Sequence, residues 1–221
     1  MANLVQLGIL ERTHGFIAVD KPAGIPFSTV VKTVRRKFNL PKLGPGGSIE
    51  TMASGLMVLL LNDANRYVDN IMAADRSSEG TVRLGLKTDT GDIFGRPVPG
   101  AADAVPPLAD FKGDVFITEP RYASVRREGG AQYEVADTGE HSPFMTHVYR
   151  LEFTGTSFTL SSTRNMIVRA LVDGMGLALE TLRRTKVGRF DVASAVPFET
   201  ILEVDAGEFV SCVTGLRDAL L

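Results

Sequence analysis

Gly44-Pro45-Gly46-Gly47-Ser48-Ile49-Glu50-Thr51-Met52-Ala53-Ser54-Gly55, followed at once by Leu56-Met57-Val58-Leu59-Leu60-Leu61, is the stretch that decides the reading of this chain. A turn so rich in glycine lets backbone come close to whatever it faces, because Gly lacks the Cβ that holds other residues away. It presents one carboxylate, Glu50. The apolar run behind it is short and continuous, which suits a buried strand, although periodicity alone leaves a helix open.

Working outward, Phe16 to Val19 reads as a strand. Ser28 is placed to N-cap a helix through Phe38, with Val30, Val31, Val34 and Phe38 on one face and the basic residues largely opposite. Asp63 is placed to cap a helix over 64–73. Thr81 to Lys87 alternates as a strand, Thr88 to Gly95 is a turn rich in Asp and Gly, and 96–107 is a proline-rich surface loop. Strands are expected near Val115, Val148 and Phe158, a helix over 166–179, and a strand over 187–190. Strands scattered among helices without strict alternation predict an α+β fold, a mixed and largely antiparallel sheet flanked by helices. The whole of 1–221 reads as a single domain, with no clear separate C-terminal domain.

The chain has 221 residues, 44% of them hydrophobic, enough to bury a core. No apolar run approaches the roughly 20 residues of a membrane span, and the N-terminus lacks a secretory pattern. One cysteine, Cys212, excludes an internal disulfide and a cysteine-based zinc site. His14, His141 and His147 are scattered without metal-ligand spacing. A cytoplasmic protein without metal is the expectation.

Several segments, in order, carry a family resemblance. Gly15-Phe16-Ile17-Ala18-Val19-Asp20-Lys21-Pro22-Ala23-Gly24 resembles a strand followed by a K-P-x-G turn. The Gly46 to Gly55 turn resembles G-G-T-L-D-P-x-A-[ST]-G. Pro120 to Gly129 with Tyr133 to Ala136 resembles P-x-Y-S-A-x-K-x-x-G…Y-E-x-A. Ile167-Val168-Arg169 through Gly176 resembles Y-I-R-x-L-x-x-D-[LM]-G, and Leu182-Arg183-Arg184-Thr185 resembles L-R-R-T. Together they resemble the TruB family of pseudouridine synthases, which isomerise a uridine in the T-arm loop of transfer RNA.

The resemblance implies a pseudouridine synthase catalytic fold, no cofactor, and a site whose catalytic aspartate falls on Glu50. It implies that Arg169 pairs with that carboxylate, and that Tyr122 lines the base pocket. It also marks departures. The family's histidine upstream of the turn falls on Pro45, the proline after the aspartate on Thr51, and the tyrosine that stacks on the target base on Ser78. The substrate-binding set is therefore Tyr122, Ser78, Gly46 and Gly47.

One carboxylate on a glycine turn suits this chemistry. The C1′–N1 bond must break and C5 must join C1′, and the departing base leaves positive character on the sugar. A carboxylate facing the ribose can stabilise that charge, attack C1′ or remove the C2′ proton. Glu50 keeps the charge but moves it by about an ångström, a misplacement that can cost on the order of 100-fold in rate.

Net charge is −2 and the pI near 6.0, so RNA binding by bulk charge is not expected. Local clusters are present instead: Lys32, Arg35, Arg36 and Lys37, then Arg126-Arg127, then Arg183, Arg184, Lys186 and Arg189. Lys32, Arg35, Arg36, Arg183 and Arg184 are the expected RNA contacts; as plain solvated faces they would do nothing. The plainer alternatives are an exposed turn carboxylate or an Arg169 partner for Glu50, an ordinary structural ion pair for Arg169, and core packing for Tyr122. Asp89 and Asp92 read as turn formers. Two functions stand open: a divergent TruB-like synthase acting on transfer RNA or another structured RNA, and a catalytically silent relative that binds RNA, aids its folding or serves as a ribonucleoprotein scaffold. The oligomeric state is not legible.

Overall fold

The computed structural model describes residues 4–118, 126–127, 130–131 and 143–216. In chain order the elements are α1 (Leu4–Arg12), β1 (Gly15–Lys21), α2 (Phe27–Lys37), β2 (Leu43–Pro45), β3 (Ser54–Leu61), α3 (Val68–Ala73), β4 (Arg76–Arg83), β5 (Gly113–Thr118), β6 (Arg126–Arg127) and β7 (Gly130–Ala131). There follow β8 (Pro143–Thr154), β9 (Ser157–Ser162), α4 (Val168–Gly174), β10 (Ala178–Val187), β11 (Phe190–Asp191), β12 (Val196–Pro197), α5 (Phe198–Glu203), α6 (Ala206–Ser211) and β13 (Thr214–Gly215). They form two compact units, Met1–Ala74 with Arg183–Leu221, and Asp75–Leu182.

The first unit is built on β3. Every residue from Gly55 to Leu61 is buried, because β1 runs antiparallel along one edge over the full length while β2 and the end of β10 take the other. The strand order is β12-β1-β3-β10, with β13 also on β1 and β11 on β10. Phe16, Leu56, Val58, Leu60, Ala64, Ile71 and Val187 form its core. Burying a side chain of this size contributes about 1.5–3 kcal/mol, which fixes the strand that leads out of the Glu50 turn.

The second unit carries strands in the order β10-β4-β9-β8-β5, antiparallel from β4 to β5. Its buried apolar side chains include Val82, Val115, Ile117, Val148, Leu151, Phe158, Leu160, Leu171 and Val172. Among the described strands, β1–β12 and β3–β10 pair in parallel. The fold is the expected α+β arrangement, a mixed and mostly antiparallel sheet with helices against it.

Several boundaries differ from the sequence expectation. Helix α2 starts at Phe27, and its N-cap is Pro26 without a side-chain bond; Ser28 is not the cap, because the Pro26 carbonyl already accepts from Thr29 and Val30 N–H. Asp63 caps nothing either. Residues 62–67 form a 3₁₀ turn, and α3 begins only at Val68. Asn62, with φ 51°, folds its amide back to the carbonyls of Leu10 and Thr13 at 2.9 and 2.8 Å.

Strand β4 runs Arg76–Arg83 and stops before Gly85, whose φ is 67°. The helix expected over 166–179 is only Val168–Gly174, since Gly176 at φ 76° ends it. Leu177-Ala178-Leu179 extended the helical pattern in sequence, but from Ala178 they open β10. The strand expected over 187–190 is a hairpin corner. Val187 pairs with Phe190, and Gly188 at φ 53° makes the turn.

Candidate active site

In the first unit, the Glu50 turn is held from several directions. Gly46 N–H donates to the Val58 carbonyl at 2.7 Å, and a Cβ on Gly46 would sit 2.5 Å from Ile71 Cγ2. The close approach that makes glycine necessary there is to this unit's own core. Gly47 has φ 128°. Arg184 is 9% exposed; its Nε donates to the Leu56 carbonyl at 2.7 Å and its Nη1 to that of Ser48 at 2.8 Å. One buried guanidinium thus spans both sides of the turn. Gly55, at φ 100°, lies against the Arg184 backbone, where a Cβ would meet the carbonyl oxygen at 2.3 Å. Glu50 itself is half-buried, and its carbonyl accepts from Ala53 N–H at 3.1 Å.

Lys21 plays a part that the reading of the sequence missed. Its side chain is fully buried, and its ammonium donates to the carbonyls of Pro22 (2.9 Å), Ile25 (2.8 Å) and Thr51 (3.3 Å). Gly24 N–H also donates to the Thr51 carbonyl at 2.7 Å. The residue after Glu50 is therefore tied to the Lys21-Pro22 corner. Burial, and then the positive charge of Arg184, pull the Lys21 pKa from 10.5 down to about 8. The signal that could have found it is a lysine closing an otherwise apolar strand beside a proline.

In the second unit, Arg169 is 6% exposed on α4. A guanidinium so deep is costly unless paired. Its Nη1 donates to the Thr90 carbonyl at 2.7 Å and lies 3.6 Å from Asp92 Oδ2. Asp92, itself 8% exposed, is oriented at its other oxygen: Oδ1 accepts from Thr90 Oγ1 at 2.8 Å and from Phe94 N–H at 3.0 Å. Asp92 does shape the turn as the sequence suggested; that it also partners Arg169 was missed. Gly91, at φ 75°, packs against Arg169, where a Cβ would be 3.2 Å from Arg169 Cγ. Lys87 ties the same turn to α4 through the Asp173 carbonyl at 3.2 Å.

Of the residues singled out in sequence, Gly46, Gly47, Glu50 and Arg184 come together in the first unit. Arg183 sits there too, gripping Asp20 of β1 through both Nη atoms at 3.0 and 2.6 Å. Lys32, Arg35 and Arg36 are exposed on α2, and Arg35 also donates to the Pro41 carbonyl at 3.2 Å. Ser78 is buried in β4 of the second unit, in register with Leu160. Arg169 belongs to that unit as well. Tyr122 lies outside the described residues. Among the described residues, no cluster of three or more His, Cys, Asp or Glu is grouped to hold a metal ion, and no helix is long and apolar enough to cross a membrane.

The arrangement is similar to solved structures. A Cbf5-Nop10-Gar1 complex matches with a TM-score of 0.68 at 19% identity, over 96% of this chain and 63% of that one, so the chain spans under two thirds of that protein's length. A crystal structure of pseudouridylate synthase matches with a TM-score of 0.50 at 14% identity, covering 84% of this chain and 68% of that one. The fold is therefore that of the pseudouridylate synthases.

Sequence comparison is more specific. Residues 35–166 match the model of the TruB family pseudouridylate synthase (N terminal domain). The tRNA pseudouridine synthase B of Azoarcus sp. (strain BH72) is 32% identical over 207 residues, which cover 85% of this chain and 69% of that protein. The chain belongs to the TruB family.

Proposed function

We propose that this chain isomerises uridine to pseudouridine in a structured RNA, with the T-arm loop of transfer RNA as the first substrate to examine. Membership of the TruB family supports it. The observation that carries it is the Glu50 turn, braced on one side by Lys21 through Thr51 and on the other by Arg184 through Ser48 and Leu56. A turn fixed at so many points can hold a carboxylate to the tolerance that attack on a sugar carbon demands.

In this mechanism Glu50 acts at the ribose as the C1′–N1 bond breaks: as nucleophile it bonds C1′ and is released when C5 attacks there, and as base it takes the C2′ proton and later returns it. The freed uracil turns, C5 bonds to C1′, C5 loses its proton, and N1 gains one. The atoms balance without a co-reactant. In the second unit Asp92 holds Arg169, the proposed catalytic arginine. Gly46 and Gly47 shape the turn that carries Glu50, Tyr122 is the proposed base-pocket residue, and Lys32, Arg35, Arg36 and Arg183 meet phosphates. The compartment would be the cytoplasm, where such RNA is made.

A second reading, an RNA-binding relative without turnover, draws on Pro45 and Ser78 standing where the family resemblance expects a histidine and a stacking ring. The test is release of tritium from C5-labelled uridine in a T-arm minihelix. Stoichiometric release supports the synthase; RNA binding without release supports the silent relative.

A further inference from the structure

The turn from Thr88 to Gly95 is anchored along most of its length and bare at one point. Thr88 Oγ1 donates to the Asp92 carbonyl at 2.6 Å, Ile93 N–H donates to the Leu179 carbonyl at 3.0 Å, and Phe94 N–H donates to Asp92 Oδ1 at 3.0 Å. Thr88 also bridges to Pro97. The backbone of Phe94 is thus fixed, yet its ring is 76% exposed.

A single exposed apolar side chain needs no explanation by itself. Three observations set Phe94 apart. The Asp92 carboxylate that holds its backbone is the same one that faces Arg169. Arg96, also exposed, follows two residues on, with its N–H donating to Asp89 Oδ1 at 2.8 Å. Finally, the position expected to supply a stacking ring, Ser78, has no ring to offer and is buried in β4.

We infer that Phe94 is a nucleobase-stacking residue, the ring on which an unpaired base of the RNA lies, with Arg96 beside it for the adjoining phosphate. The inference rests on the proposed reading that this chain binds a structured RNA. A base presents a π-face whatever its identity, so an aromatic ring binds it without demanding sequence. With the backbone already fixed, only the ring's own two side-chain torsions remain to be ordered on binding. A cation two residues away complements the phosphate that every base brings with it.

The chain has no tryptophan, so Phe94→Trp installs a unique fluorophore. Titration of that variant with a T-arm minihelix is expected to quench its emission, whereas Phe116→Trp, at another exposed ring, stays unchanged. Phe94→Ala, at a solvent position that leaves folding intact, is expected to weaken minihelix binding about 10-fold or more, with Phe94→Tyr near native. Binding by the native chain with a silent Phe94→Trp, or with Phe94→Ala as tight as native, overturns this inference alone, including the case in which a protein partner covers the ring. No RNA binding by the native chain overturns the proposed reading and this inference together.

Discussion

Arg169 Nη1 stands 3.6 Å from Asp92 Oδ2, both side chains buried, while Thr90 supplies a carbonyl to the first and a hydroxyl to the second. Two charges removed from water gain by facing each other, but removing one leaves the other stranded.

Asp92→Asn tests that relationship. The amide keeps the shape and one acceptor but removes the charge opposite Arg169, so stability should fall by about 1–3 kcal/mol. Turnover should fall as well, since Asp92 holds the proposed catalytic Arg169. Denaturant unfolding and tritium release check the two effects separately; a variant as stable and as active as native would show the pairing to be idle.

Glu50→Gln should reduce turnover by on the order of 1,000-fold or more, because the amide keeps the size but lacks the charge needed against the sugar. RNA affinity should hardly move. Glu50→Asp with Ser78→Tyr restores the family's carboxylate reach and ring and is expected to raise turnover above native. Since Ser78 is buried, the ring carries an overpacking cost of about 1–3 kcal/mol, to be measured alongside. Strong turnover that survives Glu50→Gln would remove Glu50 from the mechanism.

Lys21 predicts a pH dependence whose sign can be derived. Its pKa is about 8 in the folded chain against the ordinary 10.5 of a lysine. Between those values the unfolded chain holds more protons, so this group makes stability rise with pH across that window, and below about pH 8 its buried charge is a standing cost. Relative to Lys21→Met, the native chain should gain about 1–2 kcal/mol from roughly pH 7.5 to 9.5. Turnover should decline over the same range. A neutral amine has only two N–H bonds for the three carbonyls of Pro22, Ile25 and Thr51, and Thr51 adjoins Glu50. A flat difference in unfolding free energy would count against the shifted lysine.

Glu50's turn and β3 were legible because glycine spacing and a continuous apolar run are local signals. Arg169 and Asp92 were each visible, one as an arginine among apolar neighbours and the other as a turn residue. Their meeting was not, since nothing local links α4 to the turn after β4. Likewise the sequence placed Lys21 at a strand end but said nothing of three carbonyls converging on its ammonium. The error at 177–190 arose because Leu177 to Leu179 are as apolar as a helix face, and only the left-handed Gly176 and Gly188 mark where helix ends and hairpin turns. Arg184 looked like its neighbour Arg183. Side chains alternate along a strand, so one reaches Asp20 and the other enters the core.

That difference gives the RNA prediction its form. Lys32, Arg35 and Arg36 are exposed on α2, and each phosphate they neutralise should release about one counterion. Replacing all three with Gln should lower the slope of log affinity against log salt by about 2–3 and weaken transfer RNA binding at low salt. Stability should change by no more than about 0.5 kcal/mol at each surface site, with Arg35 at the upper end because it also reaches the Pro41 carbonyl. Arg184→Gln should behave in the opposite way. Its guanidinium serves the Ser48 and Leu56 carbonyls, so unfolding becomes easier by about 1–3 kcal/mol and turnover drops with the loosened Glu50 turn, while the salt slope holds. A salt slope unchanged by the triple substitution would move the RNA surface off α2.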